Sequence, residues 1–114
     1  MAIHNHYRLN VENKLKIYCE NRIPEEARDQ VKMNYEIKGN KITLYEERPR
    51  WTGEGPWTKM AIAQIRYNEE KENWTIYWRD RNEKWHLYTE IKPRKNIEDN
   101  LKEIDKDPTG IFWG

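Results

Sequence analysis

The stretch that predicts the fold reads VKMNYEIKGNKITLYEER and runs from Val31 to Arg48. Apolar side chains occupy the odd positions from 31 to 37, and polar side chains occupy the even positions between them. Because successive side chains of a strand point to opposite faces, this alternation predicts a strand with one buried face. Gly39-Asn40 then predicts a two-residue turn, since glycine tolerates the positive φ that tight hairpins require.

A returning strand over residues 41–48 is expected to pair with this first strand. With a two-residue turn, Ile42 lies opposite Ile37, and Leu44 lies opposite Tyr35. Both pairs are apolar, which favours this register and places the core on their side of the hairpin.

The rest of the chain predicts further strands and a helix near each end. Pro49–Thr58 holds two prolines and two glycines and predicts a loop. The later strands are expected at about Lys59–Tyr67, Trp74–Arg79 and Lys84–Thr89, joined by a polar connection at 68–73 and a turn at Asp80–Glu83. The sequence therefore predicts one α+β domain, residues 1–114, with an antiparallel sheet of about five strands in two hairpin-linked groups.

Both helices are expected to pack on the aromatic face of that sheet. The first runs from about His6 to Arg22 behind a cap at Asn5, and the last from about Asn96 to Lys106. Their apolar stripes consist of Tyr7, Val11, Leu15, Tyr18 and Cys19 in the first helix and Ile97, Leu101 and Ile104 in the last. A short helical turn is expected at Pro24–Ala27, and Ile111–Trp113 is expected to pack back on the domain.

Composition limits the class of protein. Charged residues make up 36% of the chain, yet six Trp, seven Tyr and one Phe give it enough ring surface to form a core. The net charge of +1 argues against nucleic-acid binding by bulk charge and leaves a local basic patch open. A single cysteine, Cys19, forms no internal disulfide, and no long apolar segment is present, so a cytoplasmic protein without membrane contact is expected.

The assigned turn lengths also predict the register of the last three strands. Trp78 is expected opposite Ala63 and Trp85, Ile76 opposite Ile65 and Leu87, and Trp74 opposite Tyr67 and Thr89. One side of these strands is then apolar and faces the helices. The other side collects Ile62, Gln64, Arg66, Thr75, Tyr77, Arg79, Lys84, His86 and Tyr88.

That second side is the candidate binding surface, because exposed rings flanked by Arg and Lys can stack on bases while the cations hold phosphates. Together with the adjoining loop it gives these candidate ligand-binding residues: Arg66, Tyr77, Arg79, Lys84, His86, Tyr88, Arg48, Arg50, Trp51 and Trp57. A second interpretation stays open, in which this is an ordinary wet face or one covered by a helix or a second subunit.

Motifs for catalysis and for metals are weak. Two carboxylate–lysine patterns, Asp80 with Glu90-Ile91-Lys92 and Asp29 with Glu36-Ile37-Lys38, spread their acids too far along extended chain to share a metal. No cofactor or metal is therefore expected, and His4 with His6 is not taken as a metal site. A metal-free ribonuclease that uses His86, Tyr77, Tyr88, Arg79 and Lys84 remains an alternative.

Two segments resemble a known family. They are Trp74–Asn82 with Lys84–Tyr88, and the ending Asp105–Gly114; Arg48-Pro49-Arg50-Trp51 adds to the match. The resemblance is to the bacterial family catalogued as domain of unknown function 3024. It implies a small bacterial cytoplasmic protein and transfers no catalytic residue, since that family carries no assigned activity.

These observations favour a non-enzymatic binding module, with single-stranded nucleic acid as the ligand class to test first. A protein–protein interaction or self-associating domain, such as a homodimer, is the second hypothesis, and the ribonuclease is the third.

Overall fold

The computed structural model describes residues 5–113, and side chains from residue 8 onward. It contains the helices α1 (Asn5–Arg22) and α2 (Ile97–Lys106), a short 3-10 turn at Glu25–Ala27, and the strands β1 (Lys32–Lys38), β2 (Lys41–Arg48), β3 (Thr58–Asn68), β4 (Asn73–Arg79) and β5 (Trp85–Leu87). The strands form one antiparallel sheet in the order β1-β2-β3-β4-β5. The predicted α+β class is confirmed.

The first hairpin has the predicted register. Ile37 pairs with Ile42, and Tyr35 pairs with Leu44. Gly39 supplies the positive φ of the turn, at 60°. Asn40 ties the turn to β3, because its side-chain amide donates to the Tyr67 carbonyl at 2.9 Å.

The helices pack on one side of the sheet, here called the inner face. Val11, Leu15 and Cys19 of α1 are buried, as are Ile97, Leu101 and Ile104 of α2. They share one core cluster with the inward side chains of the strands, among them Ile42, Leu44, Ala63, Ile65, Trp74 and Ile76. Burial raises the pKa of the Cys19 thiol to about 11, consistent with a packing role for this cysteine. The predicted cap at Asn5, the core position of Tyr7, and His4 and His6 lie outside the described side chains.

The C-terminal segment packs back on the domain, as predicted. Phe112 is buried, with its ring centroid 5.0 Å from that of Tyr88. The indole N–H of Trp113 donates to the Ile104 carbonyl at 2.9 Å, and the Arg22 guanidinium lies 4.3 Å over the Trp113 ring. These contacts join the end of the chain to both helices.

The β3–β4 register was predicted correctly, whereas the β4–β5 register was predicted wrongly by one residue. Ala63, Ile65 and Tyr67 lie opposite Trp78, Ile76 and Trp74, as expected. Trp78 pairs with His86 instead of Trp85, Arg79 pairs with Trp85, and Tyr77 pairs with Leu87. Since side chains alternate, this single step exchanges the two faces of β5.

The β4–β5 turn explains the shift. The Asp80 N–H donates to the Lys84 carbonyl at 2.9 Å, so only the residues 81–83 are left in the loop. Glu83 closes this loop in the left-handed region, at φ 65°, as in a hairpin with a type I turn and a bulge. The Asp80 carboxylate accepts the backbone N–H groups of Asn82 and Lys84 at 2.8 and 3.0 Å, which stabilises the shorter loop.

A second irregularity lies between β2 and β3. Leu44 pairs with Ala63 while Tyr45 pairs with Ala61, which leaves Ile62 as an extra residue. Such a bulge bends and twists the hairpin beyond it. Within the described residues, neither helix is both long enough and apolar enough to cross a membrane.

Candidate functional site

The side of the sheet turned away from both helices is here called the outer face. Its side chains come from the strand positions opposite in parity to the core: Lys32, Asn34, Glu36, Lys38, Lys41, Thr43, Tyr45, Glu47, Lys59, Gln64, Arg66, Thr75, Tyr77, Arg79, Trp85 and Leu87. No described helix packs against this face, because α1 and α2 both bury their apolar stripes in the core on the other side. The candidate site is therefore an open sheet surface.

Basic side chains on this surface lie over aromatic rings. In the described part of the chain four such pairs occur here, with these distances from cation to ring centroid: Arg66 over Tyr77 at 3.7 Å, Lys32 over Trp57 at 4.5 Å, Lys59 over Tyr45 at 5.6 Å, and Arg79 over Trp85 at 5.9 Å. Each pair joins neighbouring strands or a strand and the loop before β3. Cation–π contacts of this kind contribute about 0.5–1 kcal/mol each at exposed sites.

Arg66 is held in place by a buried polar neighbour. Gln64 is only 7% exposed, although it lies on the outer face. Its amide nitrogen donates to the Thr43 hydroxyl at 3.0 Å, and its amide oxygen accepts from Arg66 Nε at 2.7 Å. The Arg66 guanidinium is thus fixed over the Tyr77 ring by two kinds of contact.

A depression of about 520 Å³ lies beside this pair, at the end of the sheet that carries the β1–β2 turn. Lys41, Arg66 and Tyr77 line it together with Asn40, Tyr67, Asn68, Glu69, Glu70 and Thr75. Its two basic residues and its two tyrosines belong to the strands, and its two carboxylates belong to the β3–β4 connection. The depression can accept a flat group against Tyr77 and an anionic group beside Lys41.

The charge of the outer face differs from that of the whole chain. The strand positions on this face carry six basic side chains (Lys32, Lys38, Lys41, Lys59, Arg66 and Arg79) and two acidic ones (Glu36 and Glu47), a balance of +4. The whole chain has a net charge of +1, so the remainder carries −3. The excess of positive charge on the outer face thus belongs to its strand positions, and acidic side chains of the connections border it: Glu83 lies 3.4 Å from Arg79, and Glu69 and Glu70 lie beside Lys41 and Arg66.

The two carboxylates of this face are engaged in local contacts. Glu47 lies 3.7 Å from Lys59 Nζ. The pKa of the Tyr45 hydroxyl is raised, mainly because the hydroxyl is partly buried and next because it donates a hydrogen bond to Glu36. Tyr45 is accordingly a neutral ring throughout the physiological pH range.

Three of the ten residues predicted from the sequence meet on the outer face as expected: Arg66, Tyr77 and Arg79. Trp57 lies next to this face, because Lys32 Nζ is 4.5 Å from its ring centroid. Arg48, at the end of β2, donates a hydrogen bond from Nε to the Glu46 carboxylate at 2.7 Å. Arg50 and Trp51 lie in the loop before β3. Lys84 is exposed in the β4–β5 turn, where its backbone N–H bonds Asp80.

The predicted positions of His86 and Tyr88 on the outer face are wrong, although His86 remains exposed to solvent. Tyr88 is 4% exposed, and its hydroxyl donates to Glu103 of α2 at 2.7 Å. His86 stacks on Trp78 on the inner side, with centroids 4.6 Å apart, and its Nε2 lies 2.6 Å from Asp80 Oδ2. The shifted β4–β5 register is the cause, because it moves every side chain of β5 to the other face.

Sequence reasoning missed several members of the outer face, namely Lys32, Tyr45, Lys59, Trp85 and Leu87. The alternation of β1 and β2 was a usable signal for Lys32 and Tyr45, because the correctly predicted apolar positions fix their side. Trp85 and Leu87 were assigned to the core through the wrong register. The bulge at Ile62 places the Lys59 side chain on the outer face, and no comparable pattern in the sequence indicates that bulge.

The Asp80–His86 contact predicts a pH dependence. The hydrogen bond from His86, followed by the Lys84 N–H, holds the pKa of the Asp80 carboxyl below its ordinary value. A carboxyl with a lowered pKa stabilises the fold above its unfolded pKa, about 3.9, and this stabilisation is lost as the pH falls through the folded pKa. We expect the stability difference between wild type and Asp80→Asn to be largest above about pH 5 and to shrink below about pH 4.

Urea unfolding followed by circular dichroism in steps below pH 6 measures this difference. Asp29→Asn, which removes one exposed negative charge elsewhere, is the control. A constant difference between wild type and Asp80→Asn across that range would contradict the role given to the Asp80 carboxylate.

Among the described side chains, no three His, Cys, Asp or Glu residues are grouped so that they could hold a metal ion. The five groups named for a ribonuclease are not brought together either. Tyr77 and Arg79 lie on the outer face, while His86 and Tyr88 lie on the inner side.

The fold and this surface define a class: an α+β domain built on a five-stranded antiparallel meander, with rings and cations on the side opposite its helices. The chain belongs to the family described as a domain of unknown function (DUF3024), whose model matches residues 4–114. Neither a curated protein nor a solved structure matches it.

Proposed function

We propose that this protein is a binding module that holds single-stranded nucleic acid on the outer face of its sheet. The observation that carries the proposal is the series of four rings, each with a basic side chain over it, on an open surface with a charge balance of +4. Bases stack on aromatic rings and on guanidinium planes, and the cations attract the phosphates between them.

Arg66 and Tyr77 form the centre of this proposed interface. The buried Gln64 fixes the guanidinium before any ligand arrives, which lowers the entropy cost of binding. The guanidinium offers its outer plane for stacking, and the neighbouring depression with Lys41 can take a phosphate. A surface of this kind contacts the planes of the bases and the charged phosphates. Binding is therefore expected to show little sequence preference and a strong dependence on salt concentration.

The test is a titration of the whole protein against oligo(U) or oligo(dT) at several salt concentrations. Tyr77→Ala should weaken binding about 5- to 100-fold, because it removes the ring on which the Arg66 guanidinium lies and so disrupts this stacking platform. The salt dependence should stay nearly unchanged. Lys41→Ala should weaken binding and also lower the slope of log K against log salt by about 0.7, the value for one phosphate contact on a single strand.

Lys16→Ala is the matched control for charge, since Lys16 is exposed on α1 and the helix packs on the other side of the sheet. It should change neither affinity nor slope appreciably. Circular dichroism and thermal unfolding establish that each variant is folded. If wild-type protein binds neither oligonucleotide at low salt, the proposed function is wrong.

A further inference from the structure

The β2–β3 hairpin extends beyond β4 and β5, whereas β1 accompanies β2 as far as the Lys32–Glu47 pair. Strand β4 pairs with β3 from Asn68 to Ala63, whereas β3 begins at Thr58, so its first residues pair with β2 alone. Residues 45–61, comprising the ends of both strands and the loop between them, are here called the arm. The bulge at Ile62 lies where the arm leaves the five-stranded part.

Trp51 lies on the loop of the arm and is 97% exposed. Leaving an indole in water forgoes up to about 200 Å² of apolar burial, so a fully exposed tryptophan contributes little to the stability of the fold itself. Large aromatic side chains held in this way are the residue type most enriched at the centres of binding interfaces.

The loop around Trp51 has a defined shape. The Gly53 N–H donates to the Arg50 carbonyl at 2.9 Å, which closes a turn around Trp51, and Arg50 Nε donates to the Pro56 carbonyl at 2.8 Å. Gly53 has φ 77°, a value that other residues rarely adopt. Trp51 is therefore presented on a preorganised turn, which reduces the entropy lost when it binds.

The rings of the outer face continue onto the arm. Tyr45 with Lys59 lies at its base, and Trp57 with Lys32 lies next to the loop that carries Trp51. A ligand that follows the rings from Tyr77 to Tyr45 is thus led toward the tip. From Gln64, the β3 partner of Tyr77, to Thr58 the strand covers six steps, about 20 Å at about 3.3 Å each.

Charge separates the arm from the five-stranded part of the sheet. The arm itself is neutral, because Arg48, Arg50 and Lys59 are balanced by Glu46, Glu47 and Glu54. The other outer-face positions of the sheet carry Lys32, Lys38, Lys41, Arg66 and Arg79 against Glu36 alone. A contact made by the tip is accordingly one of stacking, with little contribution from phosphates.

We propose that Trp51 is a second stacking platform, for a base of the same single strand that lies on the outer face. This inference rests on the proposed function and adds a length requirement to it. A strand that reaches from Tyr77 to the arm gains the Trp51 contact, and a short strand on the sheet does not.

The test compares labelled oligo(dT) of about 4 and about 12 nucleotides, within the range of site sizes known for single-strand binding domains. Trp51→Ala should weaken binding of the longer strand about tenfold and leave that of the shorter strand unchanged, with the salt slope the same for both proteins. Tyr77→Ala should weaken binding of both lengths. Ile17→Ala, which removes an exposed apolar group from α1, is the control and should affect neither.

The outcomes separate this inference from the proposed function. Binding of the long strand that is unaffected by Trp51→Ala, or an equal loss at both lengths, overturns the Trp51 platform while the Tyr77 effect still supports the outer face. Absence of binding of either strand by wild-type protein overturns both. Because Trp51 is almost fully exposed, loss of folding does not complicate the comparison.

Discussion

Replacing Trp74 by alanine is expected to lower the free energy of unfolding by about 3–5 kcal/mol, the range found for large aromatic residues in protein cores. Trp74 is 0% exposed and stands on the inner face of β4, with the Tyr67 ring centroid 4.6 Å away. Its removal leaves a cavity that the surrounding sheet and helix cannot fully close. Since domains of this size are stable by about 5–15 kcal/mol, the variant should be marginally folded.

Urea unfolding followed by far-ultraviolet circular dichroism measures this loss without depending on tryptophan fluorescence. Trp51→Ala is the matched control, because the same chemical change at a residue that is 97% exposed should alter stability by no more than about 0.5 kcal/mol. Similar losses for the two variants would show that the burial assigned to Trp74 is wrong.

The contrast between these two tryptophans illustrates what the sequence could predict. Strict alternation identified the inward side of β1 and β2, and two apolar cross-strand pairs fixed their register. The same reasoning placed Trp74 opposite Tyr67, because the β3–β4 connection has the length that the polar residues indicated. The prolines and glycines around Trp51 predicted that it lies in a loop. They did not predict how far its side chain is exposed.

The β4–β5 register could not be predicted in the same way. The segment from Asp80 to Glu83 suits a four-residue loop, and it equally suits a three-residue loop in which Asp80 pairs with Lys84. The choice depends on Glu83 adopting a positive φ and on the Asp80 side chain binding two backbone N–H groups. Neither is specified by composition or by alternation.

The consequence for the candidate site was large, since one residue of shift exchanges both faces of a strand. Tyr88 became a core residue that hydrogen-bonds Glu103, and Trp85 took its place on the outer face beside Arg79. Gln64, Arg66, Thr75, Tyr77 and Arg79 were predicted correctly because the β3–β4 register was correct. Ile62 was wrongly placed on the outer face, since the bulge turns its side chain into the core. A side chain is therefore assigned to the correct face of a sheet only if the turn before its strand has been assigned the correct length.

The second large effect is expected at Asp107, which fixes the C-terminal segment. Its two carboxylate oxygens accept the backbone N–H groups of Phe112 and Trp113, at 3.1 and 2.8 Å. Asp107 ends α2 in the left-handed region, at φ 43°. Asp107→Ala should therefore cost about 2–4 kcal/mol of unfolding free energy, since it removes two charge-assisted hydrogen bonds and places a Cβ residue without a compensating side chain in a strained conformation.

Two further substitutions separate these causes. Asp107→Gly relieves the backbone strain and still lacks the carboxylate, whereas Asp107→Asn tolerates the left-handed conformation and keeps one oxygen acceptor. Both should be more stable than Asp107→Ala and less stable than wild type, in urea unfolding at neutral pH. Wild-type stability of Asp107→Gly would mean that the bonds to Phe112 and Trp113 contribute no more than the strain that glycine relieves, about 1 kcal/mol, and would contradict the size of the loss expected here.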